Sequence, residues 1–236
     1  MVSLGTSQWL IWFIISAWVY LVTVVATGWY QGWVAYLLGD STAIIYRRSV
    51  GFWQSYIDPL GMFFYFVFGG LPRGFGWGAI TPINPLNITY PMKSFKLLFV
   101  FLSRALGNFC LAAIALFLLV LLVSKQQLTV CFLSVMQNQL DMNLLSSVLP
   151  GISSFSIAAI FFLLGVFSLN VLLAAFNFLI EGFRAVMVVY MGGWLMRQRQ
   201  NLFIILAIQI ALIWFFINDL ERFIFSFLIS FIDTIL

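Results

Sequence analysis

Four long apolar stretches, 9–38, 97–123, 152–176 and 202–217, constrain this chain more than anything else in it. Each reaches or approaches the roughly 17–25 residues a helix needs to cross a hydrocarbon core. Composition removes the soluble alternative. Of the residues, 64% are hydrophobic and 8% charged, with a mean hydropathy of +1.10, whereas about a quarter of a water-soluble domain is charged. The pattern predicts an all-α polytopic membrane protein. Two shorter stretches add to it: 58–71 suits a broken or re-entrant segment buried in protein, and 223–236 suits a tilted span or an interfacial helix. Together they predict five to six membrane helices in one transmembrane domain, 1–236, since no polar stretch is long enough to bury a core of its own. The first run lacks a basic leader and a small-residue cleavage site, so it reads as a retained anchor and first membrane helix.

The charges say less. Eleven Lys and Arg against seven Asp and Glu give a net charge of +4, without the clustered basic patch that nucleic-acid binding requires. Arg47, Arg48, Arg73, Lys93, Lys125, Arg197 and Arg199 stand at segment edges. With alternating spans they divide between the two sides, and the positive-inside rule sets no orientation. Cys110 and Cys131 lie in or beside apolar sequence without a C-x-x-C spacing, as buried small hydrophobes do.

One region is not simple membrane helix. From 69 to 91 the chain reads GGLPRGFGWGAITPINPLNITYP, too rich in glycine and proline for a continuous helix or a central strand. A Gly/Pro-rich re-entrant or interfacial loop is expected there. Its Phe75, Trp77 and Tyr90 would dip into the interface or line a cavity.

The chain contains no histidine. Catalytic zinc sites almost always use imidazole ligands with one position left open for water. A serine–histidine pair is equally excluded, and Lys93, Lys96 and Lys125 stand near segment edges instead of beside a buried serine. The aspartates Asp40, Asp58, Asp141, Asp219 and Asp233 all sit at segment ends, which does not suit a paired intramembrane carboxylate site. No phosphate-binding glycine loop is present.

Four groups of residues in register nevertheless form a pattern. They are Tyr36-Leu37-Leu38-Gly39-Asp40-Ser41-Thr42-Ala43, then Tyr56-Ile57-Asp58-Pro59-Leu60-Gly61, then Gly76-Trp77-Gly78, then Pro82-Ile83-Asn84-Pro85. In order and spacing they resemble the bacterial site-2 protease family of intramembrane zinc metalloproteases, in which an H-E-x-x-H helix leads into such a series. The resemblance is close from 26 to 108 and looser to 184. It implies a site-2-protease-like core over about 9–197, C-terminal apolar helices over 202–236, and a multi-pass protein of the bacterial inner membrane.

The departures from that family are specific. Its two histidines and glutamate would fall on Thr27, Gln31 and Gly28, none of which can bind zinc as imidazole does or act as a general base. Its third ligand, an aspartate after a proline-containing break, is matched by Phe176-Asn177-Phe178-Leu179-Ile180-Glu181-Gly182-Phe183-Arg184, with glutamate for aspartate and no proline. Without proline that segment can continue as helix. Glu181 and Arg184, at i and i+3, can pair on one face, and Arg104 is the other charge inside an apolar run.

The expectation is therefore a degenerate relative without catalytic residues, zinc or other cofactor, although bound lipids fit its surface. Its partners would be other integral membrane proteins in a stable complex, where it serves as a structural or assembly subunit. The groove that takes a substrate in active relatives would survive as a partner surface at Trp77, Pro82, Asn84, Pro85, Asn87, Asn108 and Asn177. Two other readings stand beside this one. One is a stand-alone pseudoprotease that binds transmembrane clients; the other is an active hydrolase with an unrecognised site.

Overall fold

The computed structural model describes residues 6–67, 76–88, 92–136 and 142–191, with helical positions at 223, 226–227 and 229–230. The fold there is helical: α1 (Thr6–Leu37), α2 (Thr42–Val50), α3 (Phe52–Tyr56), α4 (Pro59–Val67), α5 (Lys93–Leu122), α6 (Lys125–Met136), α7 (Met142–Val148) and α8 (Ser154–Met191). Three of these helices are long and apolar enough to cross a membrane, over Leu10–Leu37, Lys93–Leu122 and Ser154–Val186. At 1.5 Å per residue even the shortest of these windows spans about 42 Å, more than the hydrocarbon core. They coincide with three of the four expected runs. The fourth run, 202–217, and most of 223–236 lie outside the described residues.

The three long helices form the body of the molecule. The α5 and α8 helices share the largest interface and α1 packs against both. The pairing is antiparallel between α1 and α5, because Gln31 meets Val100 and Phe101 while Thr27 lies beside Gly107. It is antiparallel again between α5 and α8, where Arg184 lies over Phe101 and Gly182 faces Leu102. The α8 helix runs unbroken through 176–184, the stretch expected to continue as helix because it has no proline.

Two apolar clusters hold these helices together. One gathers Val19, Tyr20, Val24, Ala112, Leu119, Phe132, Phe161, Phe167 and Leu173. The other lies toward the C-terminal end of α1 and gathers Val34, Ala35, Ile88, Leu97, Val100, Phe101 and Ala185.

Between α1 and α5 the chain doubles back beside α1. The first helix stops at Gly39, whose φ of +105° favours glycine. There Asp40 N–H donates to the Ala35 carbonyl at 2.9 Å and Gly39 N–H to Tyr36 at 3.0 Å, the two bonds of a Schellman ending. Then α2, α3 and α4 pass along α1 in the reverse direction. Tyr56 lies against Gly28, Tyr65 stacks on Tyr20 at 5.2 Å, and Phe66 stacks on Phe13 at 4.9 Å. Asp58-Pro59 starts α4 as an N-cap followed by proline at the first helical position. Asp58 Oδ1 accepts from Leu60 N–H at 2.8 Å and Gly61 N–H at 3.2 Å.

Residues 76–84 return in extended form and 85–87 make a turn, in which Asn87 N–H donates to the Asn84 carbonyl at 3.1 Å. Trp77 meets Tyr20, Gly78 meets Val24, and Asn84 reaches Asp40. An antiparallel bridge joins Ile57 to Gly78, and Ala79 N–H donates to the Tyr56 carbonyl at 2.8 Å. The excursion thus begins and ends at the C-terminal end of α1.

That path corrects the expected place of one charge. Arg47 does not sit at a segment edge. Its guanidinium turns inward, donates to the Gly28 carbonyl and lies 4.7 Å from the centroid of the Tyr56 ring. Burial lowers its pKa from the usual arginine value.

Candidate functional site

A polar layer separates the two apolar clusters, and most of the residues singled out in the sequence lie in it. Along α1 the order is Val24, then Thr27, Gly28 and Gln31, then Val34. Along α5 it is Phe101, then Arg104 and Asn108, then Ala112. Along α8 it is Leu173, then Asn177 and Glu181, then Ala185. Helical spacing places Thr27 and Gln31 one turn apart on one face of α1, four residues beyond Thr23. Polar groups in such a position require partners, because lipid and packed side chains offer none.

Thr27, Gly28 and Gln31 are taken up by internal packing. Thr27 Oγ1 donates to the Thr23 carbonyl at 2.8 Å, a bond within its own helix. Gln31 is 1% exposed, and its Nε2 donates across to the Val100 and Phe101 carbonyls at 3.4 Å each. At Gly28 a Cβ would lie 3.0 Å from the Tyr56 ring, and one on Gly32 would lie 2.6 Å from the Arg47 guanidinium. The notch left by these two glycines is filled by Arg47 and Tyr56.

The charged residues of the layer are on α5 and α8. Glu181 is 4% exposed, and both of its oxygens accept from Arg184 Nη1 at 2.8 Å. Arg104 is buried within electrostatic reach of Glu181, Arg184, Tyr20 and Asp58, with its Nη2 beside Gly78. Two cations and two carboxylates share this region. Their pairing lowers the cost of keeping charge between apolar clusters.

Further along the layer Asn170 Nδ2 donates to Thr23 Oγ1 and to the Val166 carbonyl, both at 2.8 Å. Asn108 Nδ2 donates to the Arg104 carbonyl at 3.0 Å. The amide oxygens of Gln31, Asn108 and Asn170 accept no hydrogen bond from the protein.

The expected partner groove is divided between three places. Asn108 and Asn177 belong to the layer. Asn84 and Asn87 belong to a knot at the end of α1, about 20 Å from Thr27 by helical rise. In that knot Asp40 is fully buried. Its Oδ1 accepts from Thr42 N–H at 3.0 Å, Thr42 Oγ1 at 2.5 Å and Asn87 Nδ2 at 2.9 Å, and its Oδ2 accepts from Asn84 N–H at 2.7 Å. Pro82 and Pro85 are half-buried along the extended segment leading there. Trp77 lies lower, its carbonyl accepting from Tyr20 OH at 2.9 Å.

Sequence reasoning quoted Asp40 within a motif without giving it this role, and it missed Tyr20, Arg47 and Asn170. For Asp40 the signal was present, since a Gly-Asp-Ser-Thr stretch after a helix favours side-chain capping of the next turn. Nothing local distinguishes the others.

Chemically, the layer offers amide and hydroxyl groups and one internal ion-pair cluster. Among the described residues no three His, Cys, Asp or Glu side chains converge as a metal-binding group. Comparison with family models, with curated proteins and with solved structures finds no match to this chain.

Proposed function

We propose that this chain is a catalytically inactive relative of the site-2 proteases that serves as a structural or assembly subunit of a larger membrane protein complex. In this reading it crosses the membrane five to six times, counting helices from the region beyond 191, and the segment from Thr42 to Ile88 is a re-entrant hairpin. It uses no zinc and belongs to a bacterial inner membrane. The supporting observation is how the positions matching the family's ligands and base are used. Thr27 bonds within its helix, Gln31 ties α1 to α5, and the Gly28 notch holds Tyr56 and Arg47. The last two join separate parts of the fold, and the first closes Thr27 on its own helix.

Exposed surface supplies the other half of the reading. Phe109, Phe117, Leu121 and Phe155 lie open on the outside of the bundle, suited to contact with lipid or with neighbouring apolar helices. Ile80 is also exposed, on the extended segment, as is Leu86 in the turn after it. An extended segment with open apolar side chains favours the second reading as well, a client-binding pseudoprotease.

Co-purification of variants tests the first reading. Asn84→Ala, which removes the side chain that bonds Asn87 Oδ1 and Leu86 N–H in the turn beside Asp40, is expected to weaken association with the partner complex, and Trp77→Ala to do the same. Phe117→Leu on the outer face of α5 should leave it unchanged. Equal and negligible effects at all three sites would reduce the segment to a connector. Release of bound chains by a competing client, with no partner at fixed ratio, would favour the second reading.

A further inference from the structure

Arg184 brings charge to the edge of a spanning helix. It lies within the Ser154–Val186 stretch of α8, its side chain is 27% exposed, and its neighbour Phe183 is open to the outside. Among the described residues its guanidinium is bonded through Nη1, to Glu181, and packs over the Phe101 ring. A charged group in a spanning helix pairs with the opposite charge or marks a functional contact.

Helix register supplies Glu181 with a second cation. Phe101 of α5 meets Arg184 of α8 in an antiparallel pair. Three residues further along α5 and three residues back along α8 bring Arg104 level with Glu181. Both are buried, and Glu181 is the acid that acts most strongly on Arg104. The Arg104 guanidinium donates no hydrogen bond to any described residue. A buried cation without hydrogen bonds is costly, and Glu181 is the acid at its level.

The Glu181 carboxylate thus stands between two arginines. Arg184 holds it in the structure and is free to turn outward, whereas Arg104 is confined within the bundle. When Arg184 leaves, Glu181 passes to Arg104, and a pair within α8 becomes one that joins α8 to α5. Two discrete arrangements of one ion pair are the kind of element that a partner can bias.

We propose that Arg184 takes a carboxylate from a transmembrane helix of a partner protein, and that Glu181 then transfers to Arg104. A guanidinium fork matches a carboxylate in shape and charge, and an acid on a membrane helix needs such a partner as much as Arg184 does. Such a site deepens the reading of the chain as a subunit of a membrane complex, and it rests on that reading.

The test places the full chain in phosphatidylcholine nanodiscs with a labelled transmembrane peptide of leucine and alanine. The peptide carries one Glu near an end of its apolar stretch, or Gln in its place, and binding is read by energy transfer from the tryptophans of the chain. The parent should bind the Glu peptide severalfold more tightly than the Gln peptide. Arg184→Gln should remove that preference. Arg104→Gln should reduce it, because Glu181 then keeps Arg184, and Arg104→Lys should restore it.

Glu181→Gln supplies a readout that does not depend on the folding of the Arg104 variants. It frees Arg184 and should strengthen the preference for the Glu peptide; an unchanged or weaker preference would overturn the shared carboxylate. Equal binding of the two peptides to the parent would overturn the site. So would loss of the preference when phosphatidylglycerol is added, which would assign Arg184 to a lipid headgroup. A failed preference in a chain that purifies as a large particle of fixed stoichiometry would strike this site and leave the subunit reading standing.

Discussion

Asp40 is a buried carboxylate whose partners come from two distant parts of the chain, Thr42 next to it and Asn84 and Asn87 more than forty residues away. Removing it would leave partly buried donors without acceptors, at a cost of about 1–3 kcal/mol. Asp40→Ala should therefore lower the unfolding temperature in detergent well beyond Asp40→Asn, whose amide oxygen still accepts. An unchanged unfolding temperature in Asp40→Ala would remove the knot from the account.

Glu181 behaves differently because its partner is less confined. Glu181→Gln should cost about 3 kcal/mol, toward the lower end of what breaking a buried ion pair costs, since the Arg184 side chain is 27% exposed and can turn outward. Unfolding measurements on Glu181→Gln, and on the double variant that also carries Arg184→Gln, would show whether the loss lies in the orphaned arginine.

Cys131 offers a reactivity test. Burial pushes its thiol up to about 11, so at pH 8 almost all of it is protonated and shielded from alkylation. A charged alkylating reagent should modify it only after unfolding, and rapid modification of the folded chain would contradict its placement.

Among the elements, the segment 76–88 depends on glycines because backbone meets backbone there. A Cβ on Gly61 would overlap the Trp77 carbonyl, and one on Gly78 would lie 2.7 Å from Val24 Cβ and 2.8 Å from the Tyr56 carbonyl. Overpacking of this kind costs about 1–3 kcal/mol when the surroundings can shift, and backbone shifts less readily than side chains. Gly61→Ala and Gly78→Ala should raise amide hydrogen exchange over 76–88 while the α5–α8 interface remains protected. Loss of protection throughout would mean that the segment and the bundle unfold as one unit.

The same elements show how far the sequence could be read. The long helices were legible because apolar length alone dictates them. Asp58-Pro59 and the glycines of 61, 76 and 78 were legible as words, but the meeting of Gly61 with Trp77 or of Asp40 with Asn84 joins positions that no local rule connects. Arg47 looked like an edge charge because the notch that receives it exists only when Gly28 and Gly32 face α2 and α3.

At the scale of the whole molecule the described fold is three long apolar helices around a polar layer, with a broken hairpin laid along α1. Gln31 ties α1 to α5, while Thr27 bonds within α1 and Glu181 pairs with Arg184 within α8. Many large apolar and aromatic side chains are exposed among the described residues. This combination is what a subunit needs if its role is to hold a fixed shape among other membrane proteins. The central claim is most directly tested by gentle extraction at native expression level, with the mass of the intact particle and its zinc content measured on one sample. The account predicts a large particle of fixed stoichiometry that contains no zinc bound to this chain, whereas a lone chain carrying one equivalent of zinc would contradict it.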